Sequence, residues 1–183
     1  MLIYSMGVSL DGFISDRAGD FQWSVPSTEL FDFHLERVGT LGATILGRRL
    51  YETMLIWETD PSFPETAAEK EFARIWTALP KIVFSRTLTH VEGNARLATR
   101  SLGEEIAATR AATEMDIEIG GATLAAQALE AGLLDDLYLF RYPVIVGGGT
   151  PLIPPVTQKV SLRLIEARTF GNDVVFEHYR IRR

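Results

Sequence analysis

Residue types that bind phosphate follow three short apolar segments of the sequence. These segments end in Gly47-Arg48-Arg49, in Ser85-Arg86 and in Gly120-Gly121. A guanidinium group matches the planar arrangement of phosphate or carboxylate oxygens, and glycine lets the backbone approach a ligand closely. The glycine pair is followed by Ala122-Thr123-Leu124, the predicted first turn of a helix, whose unpaired N–H groups and dipole favour an anion. The three junctions together suit a ligand that carries a pyrophosphate and a further phosphate, and NADPH carries both.

Each junction is a weak signal when it is taken alone. A glycine pair before a helix is equally consistent with a tight turn that binds nothing, and two adjacent arginines are more often solvated surface residues. The glycine pair is not a GxGxxG fingerprint, because Ala122 and Thr123 follow it. The interpretation therefore depends on an architecture that brings the three junctions together.

The hydrophobic pattern predicts such an architecture. Strands are predicted at 2–9, 43–46, 81–84, 115–119 and 137–146, helices at 27–40, 65–79, 102–112 and 122–131, and a C-terminal β-hairpin at 160–170 and 174–181 around a turn at 171–173. Segments 13–27 and 57–64 are predicted to be irregular, and the first is long enough to be a functional cover. This alternation predicts an α/β fold with a mixed sheet covered by helices on both faces. Ligands bind beyond the carboxyl ends of strands in such sheets, which is where the three junctions lie.

Composition narrows the possible functions. The chain has 183 residues, 46% apolar and 23% charged, which predicts a single soluble domain over 1–183. The net charge of -6 argues against nucleic-acid and acidic-membrane partners. The absence of cysteine excludes disulfides, a thiolate nucleophile and cysteine-bound zinc. No apolar run suits a signal peptide or a membrane span, so a cytoplasmic location is expected. The three histidines (His34, His90 and His178) show no metal-ligand spacing, and no metal is expected.

Several short segments, in this order, resemble one known superfamily. They are SMGVSLDGFIS, ILGRRLYE, KIVFSRTL and IEIGGATLAAQAL, followed by PVIVGGGTPL. The chain resembles the dihydrofolate reductase-like superfamily, and within it the reductase domain of riboflavin biosynthesis, known as the RibD C-terminal domain. The resemblance covers nearly the whole chain. It implies a three-layer fold with a mixed, mainly parallel sheet, and the riboflavin branch is commonly homodimeric.

The resemblance implies cofactor-binding roles for the three junctions. The cofactor would be NADPH, with its phosphates at the Gly-Arg turn, its adenosine ribose and 2′-phosphate at the Ser-Arg turn, and its pyrophosphate at the Gly-Gly turn. The implied positions are Gly47, Arg48, Arg49, Ser85, Arg86, Gly120, Gly121, Ala122, Thr123 and Leu124.

Substrate and catalytic positions are implied more weakly. Ser9, Asp11 and Gly12 would lie near the nicotinamide and the substrate, and the Gly-rich loop of Gly147, Gly148 and Gly149 would border the same cleft. Tyr51 and Trp57 could line a substrate pocket, although a packing role is at least equally expected. Asp11 is the first candidate to position substrate or to relay a proton, with a turn-forming role as the alternative.

Asp32 is the second catalytic candidate. Dihydrofolate reductases carry an acid on the first helix that protonates the pterin, and an ungapped count back from ILGR places that position at Phe31, beside Asp32. Asp32 also shares one side of the helix with Glu29 and Glu36, so a solvated acidic face is the favoured alternative.

The sequence therefore predicts an NADPH-dependent reductase. Hydride would pass to a C=N or C=O carbon of a small heterocyclic substrate, as in a 5-amino-6-(5-phosphoribosylamino)uracil reductase. The alternatives are pterin reduction, a nucleotide-binding module without catalysis, and a structural oligomer with an empty cleft. A deaminase module is excluded, because the chain has no HxE and CxxC zinc motif.

Overall fold

The computed structural model describes residues 1–182. Its strands are β1 (Leu2–Ser9), β2 (Phe13–Ser15), β3 (Leu41–Gly47), β4 (Lys81–Phe84), β5 (Ala95–Leu97), β6 (Asp116–Gly120), β7 (Asp136–Tyr142), β8 (Thr150–Pro151), β9 (Leu162–Thr169) and β10 (Val175–Ile181). Its α-helices are α1 (Thr28–Val38), α2 (Arg48–Met54), α3 (Ile56–Thr59), α4 (Ala67–Ala78), α5 (Leu102–Ala112) and α6 (Ala122–Glu130). Short 3₁₀ helices cover Gln22–Ser24 and Gly171–Asp173. The predicted domain extends to Arg183, which lies outside the described residues.

One large sheet organises the described part of the chain. Its eight strands follow the order β5-β4-β3-β6-β1-β7-β10-β9. The neighbours from β5 to β7 pair in parallel, whereas β10 pairs antiparallel with both β7 and β9. The structure thus confirms the mixed, mainly parallel sheet and the C-terminal hairpin.

Helices cover both faces of the sheet. On one face, buried Ile106 of α5 and Leu124 and Ala128 of α6 pack against strand residues such as Tyr4 and Ile119. On the opposite face, a second cluster joins α1, α2 and α4 to the sheet, with Val38, Tyr51, Phe72, Trp76 and Val83 among its members. A third cluster around Leu30, Phe140 and Phe176 extends that second layer over β7 and β10. Burial of each large apolar side chain contributes about 1.5–3 kcal/mol, so the three layers stabilise one another.

Side-chain hydrogen bonds cap the first turns of three of the predicted helices. The Ser27 hydroxyl accepts a hydrogen bond from the N–H of Leu30, which begins α1. Capping boxes begin α4 at Thr66 with Glu69 and α5 at Ser101 with Glu104. The observed helices agree with the predictions to within two residues, because the cap and the apolar period indicate the same boundaries.

Three segments differ from the prediction. Within 13–27, β2 pairs antiparallel with β8, and within 57–64 the helix α3 begins at Ile56, where Glu58 forms a buried ion pair with Lys81 at 3.0 Å. The strand predicted over 137–146 ends at Tyr142 instead. Pro143 has no N–H to donate, and the N–H of Val144 bonds to the carbonyl of Tyr142 at 2.8 Å in a tight turn.

The helices of the described residues are short compared with the thickness of a membrane. The helix α4 has 12 residues and would extend about 18 Å at the usual rise of ~1.5 Å per residue, which is short of the ~30 Å hydrocarbon layer. Across residues 1–182, none of the helices is both long enough and apolar enough to cross a membrane.

Candidate functional site

A single open cavity lies beyond the carboxyl ends of β1, β3, β4 and β6. Its volume is about 1540 Å³, larger than the roughly 300–1000 Å³ of a typical small-ligand pocket. All three predicted junctions line it, through Gly47–Arg49, Ser85–Arg86 and Gly121–Leu124. The sheet order therefore brings together positions that are distant in sequence.

Gly120 is the one predicted cofactor residue that does not line the cavity. A Cβ added there would lie 2.3 Å from Cδ2 of Leu50 and 3.0 Å from Cδ2 of Leu46. Two leucine side chains fill the space beside this residue, so packing accounts for a glycine here, and its predicted contact with a ligand stays a prediction.

Two helices begin at the cavity wall without a side-chain cap. Gly47 is the N-cap of α2 and Gly121 is the N-cap of α6, and neither start receives a side-chain hydrogen bond. By contrast, α1, α4 and α5 begin with serine or threonine caps. Uncapped first-turn N–H groups at a cavity wall are suited to an anionic ligand.

Gly121 joins these two helix starts. Its backbone has φ of +103° and ψ of +121°, a conformation that residues with a side chain rarely adopt. A Cβ added there would lie 3.6 Å from Cα and N of Gly47. The two N-termini therefore meet at one place on the cavity wall.

The charged lining of the cavity is mainly basic. It contains four arginines, Arg17, Arg48, Arg49 and Arg86, and two carboxylates, Asp16 and Glu52. This excess of positive charge contrasts with the net charge of -6 of the whole chain. The site therefore has a local charge that favours anions although the protein is acidic.

The arginines differ in how firmly they are held. Nη1 of Arg48 donates to Oγ1 of Thr87 at 3.2 Å, and its Nε lies 3.9 Å from Glu52. The exposed side chains of Arg49 and Arg86 bond to no partner among the described residues. Arg49 and Arg86 therefore have their donors available for a ligand.

Ser85 shapes the turn that presents Arg86. Its hydroxyl oxygen accepts hydrogen bonds from the N–H groups of Thr87 at 3.1 Å and Leu88 at 2.9 Å. Such a serine turn fixes the backbone without help from a ligand.

The segment after β2 forms the opposite wall. Residues 14–19 line the cavity, and the carboxylate of Asp16 accepts hydrogen bonds from the N–H groups of Ala18 and Asp20 at 2.8 and 2.9 Å. Nη2 of Arg17 donates to the carbonyl of Gly147 at 2.5 Å, which ties this wall to the Gly-rich loop. The long irregular segment predicted as a cover is thus an ordered wall of the site.

The Gly-rich loop meets the cavity at the last of its three glycines. Gly149 lines the cavity, whereas Gly147 and Gly148 are not part of its lining. A Cβ added at Gly149 would lie 2.0 Å from the carbonyl oxygen of Ser15, and one at Gly148 would lie 2.7 Å from Nε of Arg17. The glycines allow this loop to pack against the wall formed by residues 14–19.

The predicted residues at the end of β1 and in the turn that follows it hold neighbouring backbone in place, and they do not line the cavity. The hydroxyl of buried Ser9 donates to Asp11 at 2.7 Å and accepts from the N–H of Phe13 at 2.9 Å. The Asp11 carboxylate accepts from the N–H groups of Val146 at 3.1 Å and Gly147 at 2.8 Å. The hydrogen bond from Ser9, together with those from the backbone, lowers the pKa of Asp11 and favours its ionised form.

The structure thus supports the turn-forming alternative for Asp11, which anchors the Gly-rich loop to β1. Gly12, with φ of +92°, completes the turn. The other acidic candidate, Asp32, is exposed on α1 and does not line the cavity. Neither predicted catalytic carboxylate is placed among the cavity residues.

Tyr51 and Trp57 have the packing role that was the alternative prediction. The buried Tyr51 hydroxyl donates to the carbonyl of Glu92 at 3.2 Å and accepts from its N–H at 2.7 Å. The Trp57 ring lies 4.6 Å from that of Phe72 and 4.8 Å from that of Phe63, between ring centroids. Neither residue lines the cavity, and a substrate-lining role for them stays a prediction.

Other cavity residues were not predicted from the sequence. They include Met6, Gly7, Ile14, Phe21, Ser24 and Gln127. Met6 and Gly7 stand near the carboxyl end of β1, and Gln127 lies one helical turn after Thr123, so a topology-based search could have found them. No local pattern indicates Phe21 or Ser24, because their position depends on the fold of the segment between β2 and α1.

The histidines lie away from the cavity. Burial lowers the pKa of His34 to about 4, and its ring lies 4.4 Å from that of Phe140. Nε2 of His178 lies 2.7 Å from a carboxylate oxygen of buried Asp136. Within residues 1–182, the His, Asp and Glu side chains form no group that could hold a metal ion.

Sequence comparison identifies relatives along the whole chain. The chain is 29% identical over 177 residues to the uncharacterized protein YyaP of Bacillus subtilis, covering 95% of this chain and 91% of YyaP. It is 27% identical over 181 residues to the uncharacterized protein YwjB of the same organism, covering 96% and 95%.

Structural comparison identifies the same fold in three solved proteins. A Shewanella sp. PV-4 protein provisionally assigned to riboflavin biosynthesis superimposes with a TM-score of 0.80 at 24% identity, covering 100% of this chain and 99% of that one. A pyrimidine reductase-like protein of Corynebacterium diphtheriae gives 0.66 at 17% identity, with coverage of 100% and 92%. The diaminohydroxyphosphoribosylaminopyrimidine deaminase/5-amino-6-(5-phosphoribosylamino)uracil reductase of Thermotoga maritima gives 0.67 at 14% identity, with 100% of this chain matching 56% of that protein.

The family assignment rests on the chain itself. The family model of the RibD C-terminal domain matches residues 1–119 and 117–176. These segments contain all three predicted junctions that line the cavity. The protein belongs to the RibD C-terminal domain family and has its dihydrofolate reductase-like fold.

Proposed function

We propose that the protein is an NADPH-dependent reductase that transfers hydride to a small heterocyclic substrate of the pyrimidine type. One observation carries the proposal: three strand ends with two uncapped helix starts and four arginines line a single cavity. Family membership supports the same activity.

The cavity residues fit a dinucleotide phosphate. From β4 to β1 the sheet crosses three strand spacings, or about 14 Å at ~4.8 Å each, which gives room for an extended ligand. Ser85 and Arg86 would hold the adenosine ribose and its 2′-phosphate, and Gly47 with the first turn of α6 would hold the pyrophosphate. The nicotinamide would then lie towards Met6 and Gly7 at the end of β1.

The bound cofactor would supply the hydride, and the protein would supply orientation and electrostatics. The two carboxylates of the lining are already engaged, Asp16 by backbone N–H groups and Glu52 beside Arg48. We therefore assign the proton that completes the reduction to water from the open cavity.

A pyrimidine-type substrate is favoured over a pterin. Two proteins with this fold are named for pyrimidine reduction, the Corynebacterium and Thermotoga proteins. In this chain Asp32, the nearest equivalent of the acid that protonates pterins, is exposed outside the cavity. The substrate would occupy the wall formed by Ile14, Phe21, Ser24 and Thr150.

Two measurements test the proposal. Titration with NADPH, followed by nicotinamide fluorescence, is expected to show saturable binding that is tighter than that of NADH. A panel of aminopyrimidines and pterins, assayed by loss of NADPH absorbance, is expected to show turnover with a pyrimidine. Absence of NADPH binding would contradict the proposal at its first step.

A nucleotide-binding module without catalysis is a second candidate. The observation that favours it is that neither Asp11 nor Asp32 lines the cavity, so no free acid faces a substrate there. Tight NADPH binding without turnover of any substrate in the panel would support this candidate over the reductase.

Substitution of Gly121 by alanine is expected to weaken NADPH binding and to lower stability. The backbone at φ of +103° disfavours a side chain, at a typical cost of about 1–3 kcal/mol. Relief of this strain would move the first turn of α6 away from Gly47. Isothermal titration with NADPH and urea unfolding measure the two effects.

Gly132→Ala is the matched control for this substitution. Gly132 also has positive φ, +67°, but it follows the other end of α6 and has open space where a Cβ would lie. It is expected to lose stability while keeping wild-type NADPH affinity. Equal NADPH affinities in both variants would show that the Gly121 turn does not bind the cofactor.

A further inference from the structure

Most of the cations that line the cavity stand at one end of it. Arg48 and Arg49 follow β3 and Arg86 follows β4, and β6 separates these two strands from β1. The lining residues of β1, Met6 and Gly7, carry no charge. The cationic end suits the phosphates of a dinucleotide. We call the uncharged part the β1 end, and its residues are Met6, Gly7, Ile14, Phe21, Ser24 and Thr150.

The short turn before α1 closes the β1 end. Ser24 lies beside β1, since a Cβ added at Gly7 would lie 3.6 Å from Cβ of Ser24. The carbonyl of Phe21 accepts hydrogen bonds from the N–H of Ser24 at 2.9 Å and from its hydroxyl at 2.7 Å. In the same turn, the Trp23 ring meets the ring of Tyr142 on β7 edge-on, with the centroids 5.9 Å apart. The backbone of Phe21 is therefore held at the β1 end.

Phe21 presents an aromatic ring to the cavity. It lines the cavity and exposes 41% of its surface, although it is a large apolar residue. It lies outside the three hydrophobic clusters and makes no ring contact within residues 1–182. An exposed ring on a fixed backbone is a stacking surface for a flat heterocycle. The hydroxyls of Ser24 and Thr150 line the same end, and hydroxyls bond to neutral carbonyl and amino groups.

The arginine on the wall of residues 14–19 is held by the protein itself. Nη2 of Arg17 donates to the carbonyl of Gly147 at 2.5 Å, and a Cβ added at Gly148 would lie 2.7 Å from Nε of Arg17. The N–H of Gly147 donates to Asp11 at 2.8 Å, so Arg17 and Asp11 together hold this glycine. The Arg17 guanidinium therefore serves the Gly-rich loop. The β1 end, as far as the structure describes it, offers no cation for a phosphate.

We propose that the substrate of this protein is uncharged and that its heterocyclic ring stacks on Phe21 at the β1 end. The inference rests on the proposed reductase function and narrows it. A phosphorylated pyrimidine would place its phosphate among apolar side chains and hydroxyls, where the charge-assisted hydrogen bonds that bind phosphates tightly are missing. A ring on Phe21 would lie towards Met6 and Gly7, on the side proposed for the nicotinamide.

A pair of probes that differ only in a phosphate tests the charge of the substrate. Isothermal titration of the NADP⁺-saturated protein would compare 5-amino-6-(ribosylamino)uracil with its 5′-phosphate. The uncharged nucleoside is expected to bind with a dissociation constant no higher than that of the phosphate. Tighter binding of the 5′-phosphate, or binding of neither probe, would overturn the inference. Failure to bind NADPH or NADP⁺ would instead contradict the proposed reductase function, so the two failures are distinguishable.

Substitution of Arg17 separates a structural role from phosphate binding. Arg17→Ala removes the hydrogen bond to Gly147 and is expected to change the affinities for the two probes by the same factor. A loss confined to the 5′-phosphate would assign Arg17 to a phosphate of the substrate and overturn the inference.

Substitution of Phe21 tests the stacking. Phe21→Ala is expected to raise the dissociation constant of the nucleoside by about tenfold or more, as for other bases that stack on an aromatic side chain, whereas Phe21→Tyr keeps the ring and the affinity. Phe63→Ala is the matched control, because Phe63 is also 41% exposed but packs on Trp57 and does not line the cavity. Equal affinities for the nucleoside in the two alanine variants would refute stacking on Phe21.

Discussion

Arg86→Ala is expected to raise the dissociation constant for NADPH by about 10- to 100-fold and to change that for NADH by less than about threefold. Hydrogen bonds to a charged group contribute about 1.5–3 kcal/mol each, and the guanidinium of Arg86 has no other partner among the described residues. NADH lacks the 2′-phosphate, so its binding affinity should change little when the guanidinium is removed. Fluorescence titration with both nucleotides measures the ratio.

Two further variants separate specific recognition from a general loss of charge. Arg74→Ala removes another exposed arginine, which bonds to Glu71 on α4 and does not line the cavity, and both affinities are expected to stay unchanged. Arg86→Lys keeps the charge but loses the planar fork, so an intermediate NADPH affinity is expected. A parallel loss for NADPH and NADH in Arg86→Ala would assign Arg86 to a role other than recognition of the 2′-phosphate.

The predictable part of the fold rests on signals within one turn or one strand. The helix α5 was predicted at its observed bounds, and the structure shows that a capping box of Ser101 and Glu104 begins it. The strand ends at Gly47 and Phe84 were also close to the predicted positions, since one apolar run stops at a glycine followed by arginine and the other stops at Ser85. The sheet order then brought together the three junctions that were predicted to bind phosphate, as expected for parallel strands.

The less predictable part depends on contacts between distant segments. The strand β2 has three residues, too few to show a period, and exists because β8 pairs with it. Tyr51 and Trp57 are amphipathic, as residues that line ligand pockets often are. Only the fold shows that the Tyr51 hydroxyl bonds to the backbone of Glu92 and that the Trp57 ring packs in an aromatic cluster. Asp11 has the chemistry of a catalyst, but its position opposite the Gly-rich loop gives it backbone partners instead.

Glu105→Gln is expected to lower the free energy of unfolding by about 2–3 kcal/mol at neutral pH. Glu105 is fully buried and accepts hydrogen bonds from both Nη atoms of Arg96, at 3.1 and 2.5 Å, and from the N–H of Thr99 at 3.1 Å. These bonds, first those from Arg96, lower the pKa of Glu105 from 4.5 to about 2. One pKa unit corresponds to about 1.4 kcal/mol, and the half-exposed Arg96 reduces the net effect through solvent screening.

The pH dependence of stability gives this prediction a distinct signature. Because the folded pKa is depressed, the contribution of Glu105 is complete above about pH 4.5 and is lost as the pH falls towards about 2. The free energy of unfolding of the wild type, measured with urea, should therefore fall as the pH falls over that range, and it should fall less in Glu105→Gln. Glu71→Gln is the matched control, since Glu71 bonds to Arg74 on an exposed face and should change stability little. The ion pair of Glu105 and Arg96 joins α5 to β5. If both variants lost the same free energy of unfolding, burial of this pair would add nothing to its contribution to stability.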